Sequence, residues 1–161
     1  LVTGVQTCAL PIWIIQFGTR FDVSKKMLIV DDDPPILAFL AEIGKYCGYD
    51  VETTDSSFEL VKRIVETRPD FIILDIVMPK FDGIEVLREM SAEEVEARIV
   101  LISGFDPDLL NRARSLARSW QLNVVDVMEK PLSKEVVITC IETAEQAPQI
   151  QTKWKEPGSD Q

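Results

Sequence analysis

The sequence predicts an α/β fold: a five-stranded parallel sheet with helices on both faces. Three observations lead there. Strand-like and helix-like segments alternate five times along the chain, the pattern of a sheet built through helical crossovers. Runs such as "MLIV", "FIIL" and "RIVLI" are apolar without a break, as in strands covered on both faces. With 161 residues, 46% hydrophobic and 27% charged, the chain has the size and composition of one ordinary globular domain.

The elements follow in order from Met27. "MLIV" (27–30) is a short buried strand that ends in three acids, Asp31, Asp32 and Asp33. Asp33 can cap a helix whose first turn holds Pro34 and Pro35, where missing N–H groups cost little. Ile36, Leu37, Phe39, Leu40 and Ile43 give that helix an apolar face, and Gly48 stops it. "YDVETT" (49–54) alternates like a strand, and Asp55 is placed to cap a second helix that must end before Pro69.

"FIILDIVMP" (71–79) is the third strand and its exit, interrupted by Asp75 alone. "KFDGIEVLREM" supplies a turn and a third helix, and "ARIVLISG" (97–104) a fourth strand closed by Ser103 and Gly104. Residues 106–120 form a fourth helix, "LNVVDVMEKP" (122–131) a fifth strand running into Lys130 and Pro131, and "SKEVVITCIETAEQ" the last helix. Right-handed crossovers and five strands favour the flavodoxin-like (βα)5 sandwich, with strand order 2-1-3-4-5.

The domain is therefore residues 27–146, followed by a polar, flexible tail, 147–161. Residues 1–26 are read as a non-native or disordered lead. The stretch "VTGVQTCALPI" (2–12) is similar to one reading frame of a sequencing-library adapter, which makes Met27 the expected natural start. It is no secretory signal, since no basic segment precedes its apolar part and Pro11 breaks it, and it is too short to span a membrane.

Composition excludes several function classes. The chain carries 17 Lys and Arg against 27 Asp and Glu, a net charge of −10. Such an excess repels nucleic acid and anionic membrane, so neither is expected as a partner. The basic residues between Arg98 and Lys130 are spread along a helix and its flanks and read as a solvated face. No histidine is present, which removes His metal sites, Ser-His triads and a His relay. Cys8, Cys47 and Cys140 lack metal-ligand spacing and fit reduced thiols in the cytoplasm.

Chemistry concentrates where the strands end. In doubly wound sheets the site lies beyond the carboxyl ends of the strands, near the reversal of strand order. There the sequence places Asp31, Asp32 and Asp33, then Asp75, Ser103 and Lys130. So many carboxylates need a cation, and oxygen donors without His or thiolate select a hard ion such as Mg²⁺. A lysine and a hydroxyl beside them complete the parts of a phosphoryl-transfer site, with Asp75 as the nucleophile that becomes an acyl phosphate.

"LIVDDDPP", "FIILDIVMPKFDGIEVL", "VLISG" and "EKPL", four motifs in this order, resemble the receiver domain of bacterial two-component response regulators over about residues 27–146. The resemblance implies that Asp75 is the phospho-acceptor. It implies that Asp32 binds Mg²⁺ directly, Asp31 mainly through water, and that the backbone carbonyl of Val77 completes the protein ligands. Ser103 would be the switch hydroxyl, Lys130 the phosphoryl contact and Pro131 the residue that usually follows it. Met78, Pro79, Asp82 and Gly83 fit the loop after the acceptor.

The implied donor is a histidine kinase or a phosphotransfer protein, the output is expected in a separate protein unless the chain is a fragment of a longer regulator, and a homodimer is left open. Such a chain is a phospho-acceptor with at most self-phosphotransfer and self-dephosphorylation activity, rather than an enzyme. Val127 departs from the family, whose switch aromatic usually stands at that place. Two other readings compete. A Mg²⁺-dependent phosphatase of the haloacid-dehalogenase type would use Asp31 and Asp33 as its D-x-D pair, and a pseudo-receiver would keep the fold without phosphorylation.

Overall fold

A computed structural model of the chain describes residues 24–56, 58–79, 82–104 and 106–148. The adapter-like tip, Cys8 and the tail from residue 149 lie outside the described residues. Strand and helix alternate as β1 (Lys26–Val30), α1 (Pro34–Tyr46), β2 (Asp50–Thr54), α2 (Leu60–Thr67), β3 (Phe71–Asp75), α3 (Gly83–Ala92), β4 (Arg98–Ser103), α4 (Pro107–Ser119), β5 (Val124–Glu129) and α5 (Lys134–Gln146). The five strands are parallel and ordered β2-β1-β3-β4-β5. That is the predicted flavodoxin-like arrangement.

The apolar runs stay unbroken because each strand feeds two cores. On one face Leu28, Val30, Ile72, Leu74, Ile99 and Leu101 pack with α2, α3 and α4. On the other Met27, Ile29, Phe71, Ile73, Val100 and Ile102 pack with α1 and α5. Alternate residues thus go to opposite layers, as the pleat dictates. Cys140 is buried in the second core and Cys47 packs at its edge, the expected role for small apolar thiols.

The register slips once. Ile99 faces Val124 but Val100 faces Asp126, so Val125 is an extra residue in β5. Beyond this bulge Val127 packs on the α2–α4 side and Met128 on the α1–α5 side. Ser103 then pairs with Glu129, which delivers Lys130 to the sheet's carboxyl edge.

Helix ends show where local reading succeeded and where it did not. Gly48, at φ +87, occupies the left-handed region just after α1, as its role of stop requires. Asp33 stands at the N-cap of α1, yet its carboxylate accepts no capping hydrogen bond. Pro35, at the second helical position, has no N–H to offer such a cap. Asp55 does not cap α2. That helix starts later, after Glu59, whose φ of 53 is left-handed. The Thr54 and Ser56 hydroxyls instead accept from the Ser56 and Phe58 N–H groups and build turns in between.

The residues just before Met27 pack against the sheet and the end of the last helix. Lys26 belongs to β1, and its N–H donates to Asp70 Oδ2 at 2.8 Å. Lys25 accepts from Asp50 N at 2.8 Å through its carbonyl and pairs with Glu145 at 2.8 Å through its ammonium. Among the described residues no helix is long and apolar enough to cross a membrane.

Candidate functional site

Three strands leave the sheet beside one another, and each leaves in a polar residue. Asp31 follows β1, Asp75 ends β3 and Ser103 ends β4. All three are buried, at 0%, 2% and 1% exposure, whereas Asp32 faces solvent. Carboxylate oxygens of Asp31, Asp32 and Asp75 lie within 4.8 Å of one another. The structure thus brings together three of the acids that the sequence singled out. Asp33, the third acid of the run, is exposed and contributes its backbone: its N–H donates to Asp31 Oδ1 at 2.8 Å.

Lys130 closes the cluster. Its ammonium donates to Asp75 Oδ2 at 2.5 Å and sits 2.7 Å from Asp31 Oδ2, a charge contact off the line of a good hydrogen bond. The sequence showed a lysine at the fifth strand end, but not that it spans two carboxylates from different strands. Its own N–H donates to Ser103 O at 2.9 Å, which ties β5 to β4 at the site. Val77 contributes through its backbone amide. Its N–H donates to Asp75 Oδ1 at 2.8 Å, so each Asp75 oxygen has one donor.

The electrostatics follow from this packing. Burial pushes the Asp75 carboxyl above the usual range, and Asp31 adds to it, although Lys130 and the Val77 N–H pull the other way. Burial alone would lower the Lys130 ammonium, but Asp31 and Asp75 outweigh it and hold it above the ordinary lysine value. Lys130 therefore stays charged and acts as the cluster's internal cation. An ionised Asp75 costs folding free energy here: the contribution of a raised carboxyl is fully present in acid and is lost as pH rises through its folded pKa.

Two features of the site point outward. Ser103 Oγ is buried and, among the described residues, makes no hydrogen bond, an uncommon state for a hydroxyl. A mouth lined by Asp32, Asp75, Val77, Pro79, Gly104 and Lys130 opens at the cluster. The donor set fits a hard divalent ion: three carboxylates, one of them open to water, and no His or thiolate. The unpartnered hydroxyl and the lysine fit an added anionic oxygen.

Comparison with known proteins bears on the same residues. A family model described as the response regulator receiver domain matches residues 27–142. The alkaline phosphatase synthesis transcriptional regulatory protein PhoP of Bacillus subtilis is 31% identical over 115 residues, 71% of this chain and 46% of that protein. Transcriptional regulatory protein PrrA of Mycobacterium leprae is 36% identical over 81 residues, 50% of this chain and 35% of that protein. A crystal structure of a response regulator from Colwellia psychrerythraea superposes with a TM-score of 0.64 at 31% identity, covering 76% of this chain and 98% of that one. The chain spans less than half the length of the two regulators it matches.

Proposed function

This chain belongs to the response regulator receiver domain family, and from that premise we propose that Asp75 accepts a phosphoryl group in a Mg²⁺-dependent reaction. The observation that carries this is the meeting of Asp31, Asp32 and Asp75 with one lysine at the switch point of the sheet. Asp31, Asp32, Asp75 and the Val77 carbonyl would hold Mg²⁺, whose charge would neutralise the phosphoryl oxygens. An Asp75 carboxylate oxygen attacks phosphorus, a P–O bond forms, and the P–N bond of a phosphohistidine donor breaks as imidazole leaves. The Val77 N–H and the Lys130 ammonium orient the attacking carboxylate. Lys130 then pairs with a phosphoryl oxygen, and Ser103 Oγ gains the partner it lacks.

The donor would be a histidine kinase or a phosphotransfer protein in the cytoplasm. Residues 27–146 form the responding unit. Phosphorylation shifts the population toward a state in which Ser103 and Lys130 are drawn to the new anion. Val127 has no ring to rotate, so the change leaves through the paired ends of β4 and β5, where Ser103 meets Glu129 and Lys130.

Incubation with Mg²⁺ and acetyl phosphate, followed by intact mass, tests the reading. The native chain should gain the mass of one phosphoryl group, labile to base and hydroxylamine, and Asp75→Asn should gain none. Labelling that survives in Asp75→Asn but not in Asp31→Asn would favour the phosphatase reading instead. No labelling at all would leave a pseudo-receiver.

A further inference from the structure

Gly83 opens α3, and the place where its side chain would begin is already taken. A Cβ there would lie 2.8 Å from each of Ile76 Cα, Ile76 Cβ and Ile76 O. Non-bonded carbons settle near 3.5–4.0 Å, so something must move. Two of those atoms are main chain and cannot swing aside as the tip of a side chain would.

Nor can Ile76 retreat freely. Its N–H donates to Ile102 O at 3.1 Å, which holds it to β4, and its side chain is buried in the core. Ile76 stands between Asp75 and Val77, the two residues joined at 2.8 Å across the site. On the other side of the contact, Asp82 Oδ1 accepts from Ile84 N and Glu85 N at 3.0 and 3.2 Å and fixes the first turn of α3. The bare face of Gly83 is thus pressed onto the backbone that carries the acceptor.

We propose that Gly83 is a positioning residue for the metal site: its missing side chain lets α3 seat against Ile76, which aims the Val77 N–H at Asp75 and Asp75 at Asp31 and Asp32. The proposal rests on the Mg²⁺ reading above. Helix propensity alone predicts the opposite sign, since alanine is the better helix former at a position whose backbone needs no glycine. Gly44 supplies a matched control. A Cβ there would meet Met27 Sδ at 2.8 Å and Val51 Cγ2 at 2.9 Å, crowding of the same degree against side chains of the opposite layer.

Calorimetric titration of the full chain with Mg²⁺ alone, with amide spectra of the metal-free proteins, tests this. Gly83→Ala should bind Mg²⁺ about tenfold to a hundredfold more weakly than native protein, the scale of losing a group that orients a ligand. Its Val77 amide resonance should move before any metal is added. Gly44→Ala should bind as native does, with Val77 unmoved. Native affinity in Gly83→Ala with an unmoved Val77 resonance would overturn the proposal, as would an equal loss in Gly44→Ala. Should Gly83→Ala not fold, Asp82→Ala keeps the glycine but unties the turn that presses it home, and native affinity there would also overturn it. A native chain that binds no Mg²⁺ fails the function proposed above, a result distinct from equal affinities, and this proposal with it.

Discussion

Lys130 and Ser103 have opposite problems, one with two partners and the other with none. Removing the ammonium in Lys130→Met leaves Asp31 and Asp75 buried without their cation. The metal-free variant should lose about 3–5 kcal/mol of stability. Its Mg²⁺ affinity should rise by about tenfold, because the ion no longer competes with a resident charge. Labelling by acetyl phosphate should nevertheless fall by about a hundredfold, since a preorganised donor to the developing charge is gone. Ser103→Ala should be different in kind. Its hydroxyl makes no bond in this state, so chemical denaturation should show stability within about 0.5 kcal/mol of native, with any change a gain. A large loss would mean the hydroxyl has a partner in the resting protein.

Three helices begin with an aspartate, but the carboxylates do unequal work. Asp82 and Asp106 each accept from two N–H groups of the following turn, and Asp33 accepts from none. Replacement of Asp82 by Ala should cost about 1 kcal/mol in thermal or denaturant unfolding. The same change at Asp33 should cost well under half of that, since its carboxylate makes no capping hydrogen bond to lose. Periodicity made every helix and strand legible, because an apolar stripe must be buried whatever the neighbours are. Start residues were less legible. The Thr54 and Ser56 hydroxyls captured backbone groups that Asp55 was expected to organise, a competition between nearby side chains that spacing does not reveal.

Across the whole molecule, the end opposite the acids is tied by charge. Glu145 Oε1 at the end of α5 accepts from Lys25 Nζ before β1 and from Tyr49 OH before β2, both at 2.8 Å. Burial would raise the Glu145 carboxyl, but Lys25 and Tyr49 outweigh it and hold it below the usual range. A lowered carboxyl stabilises above its unfolded pKa, and that help is lost as pH falls through the folded value. Both Lys25 and Glu145 are partly exposed, so solvent screening keeps the effect below about 1 kcal/mol. Glu145→Gln should therefore unfold more easily than native at pH 7. The difference should vanish in acid, measured as paired denaturation curves.

The chain by itself determined the layers, the strand order and the list of polar strand ends, because continuous apolar runs and short connections admit few packings. It also placed Asp31, Asp32, Asp75, Ser103 and Lys130 at one edge, since strand ends in a parallel sheet share an edge by construction. Tertiary structure alone decided that Lys130 spans two carboxylates, that Ser103 is left without a partner, and that Gly83 must be bare where it meets Ile76. Those depend on contacts a few tenths of an ångström wide between segments distant in sequence, and no local pattern encodes such distances.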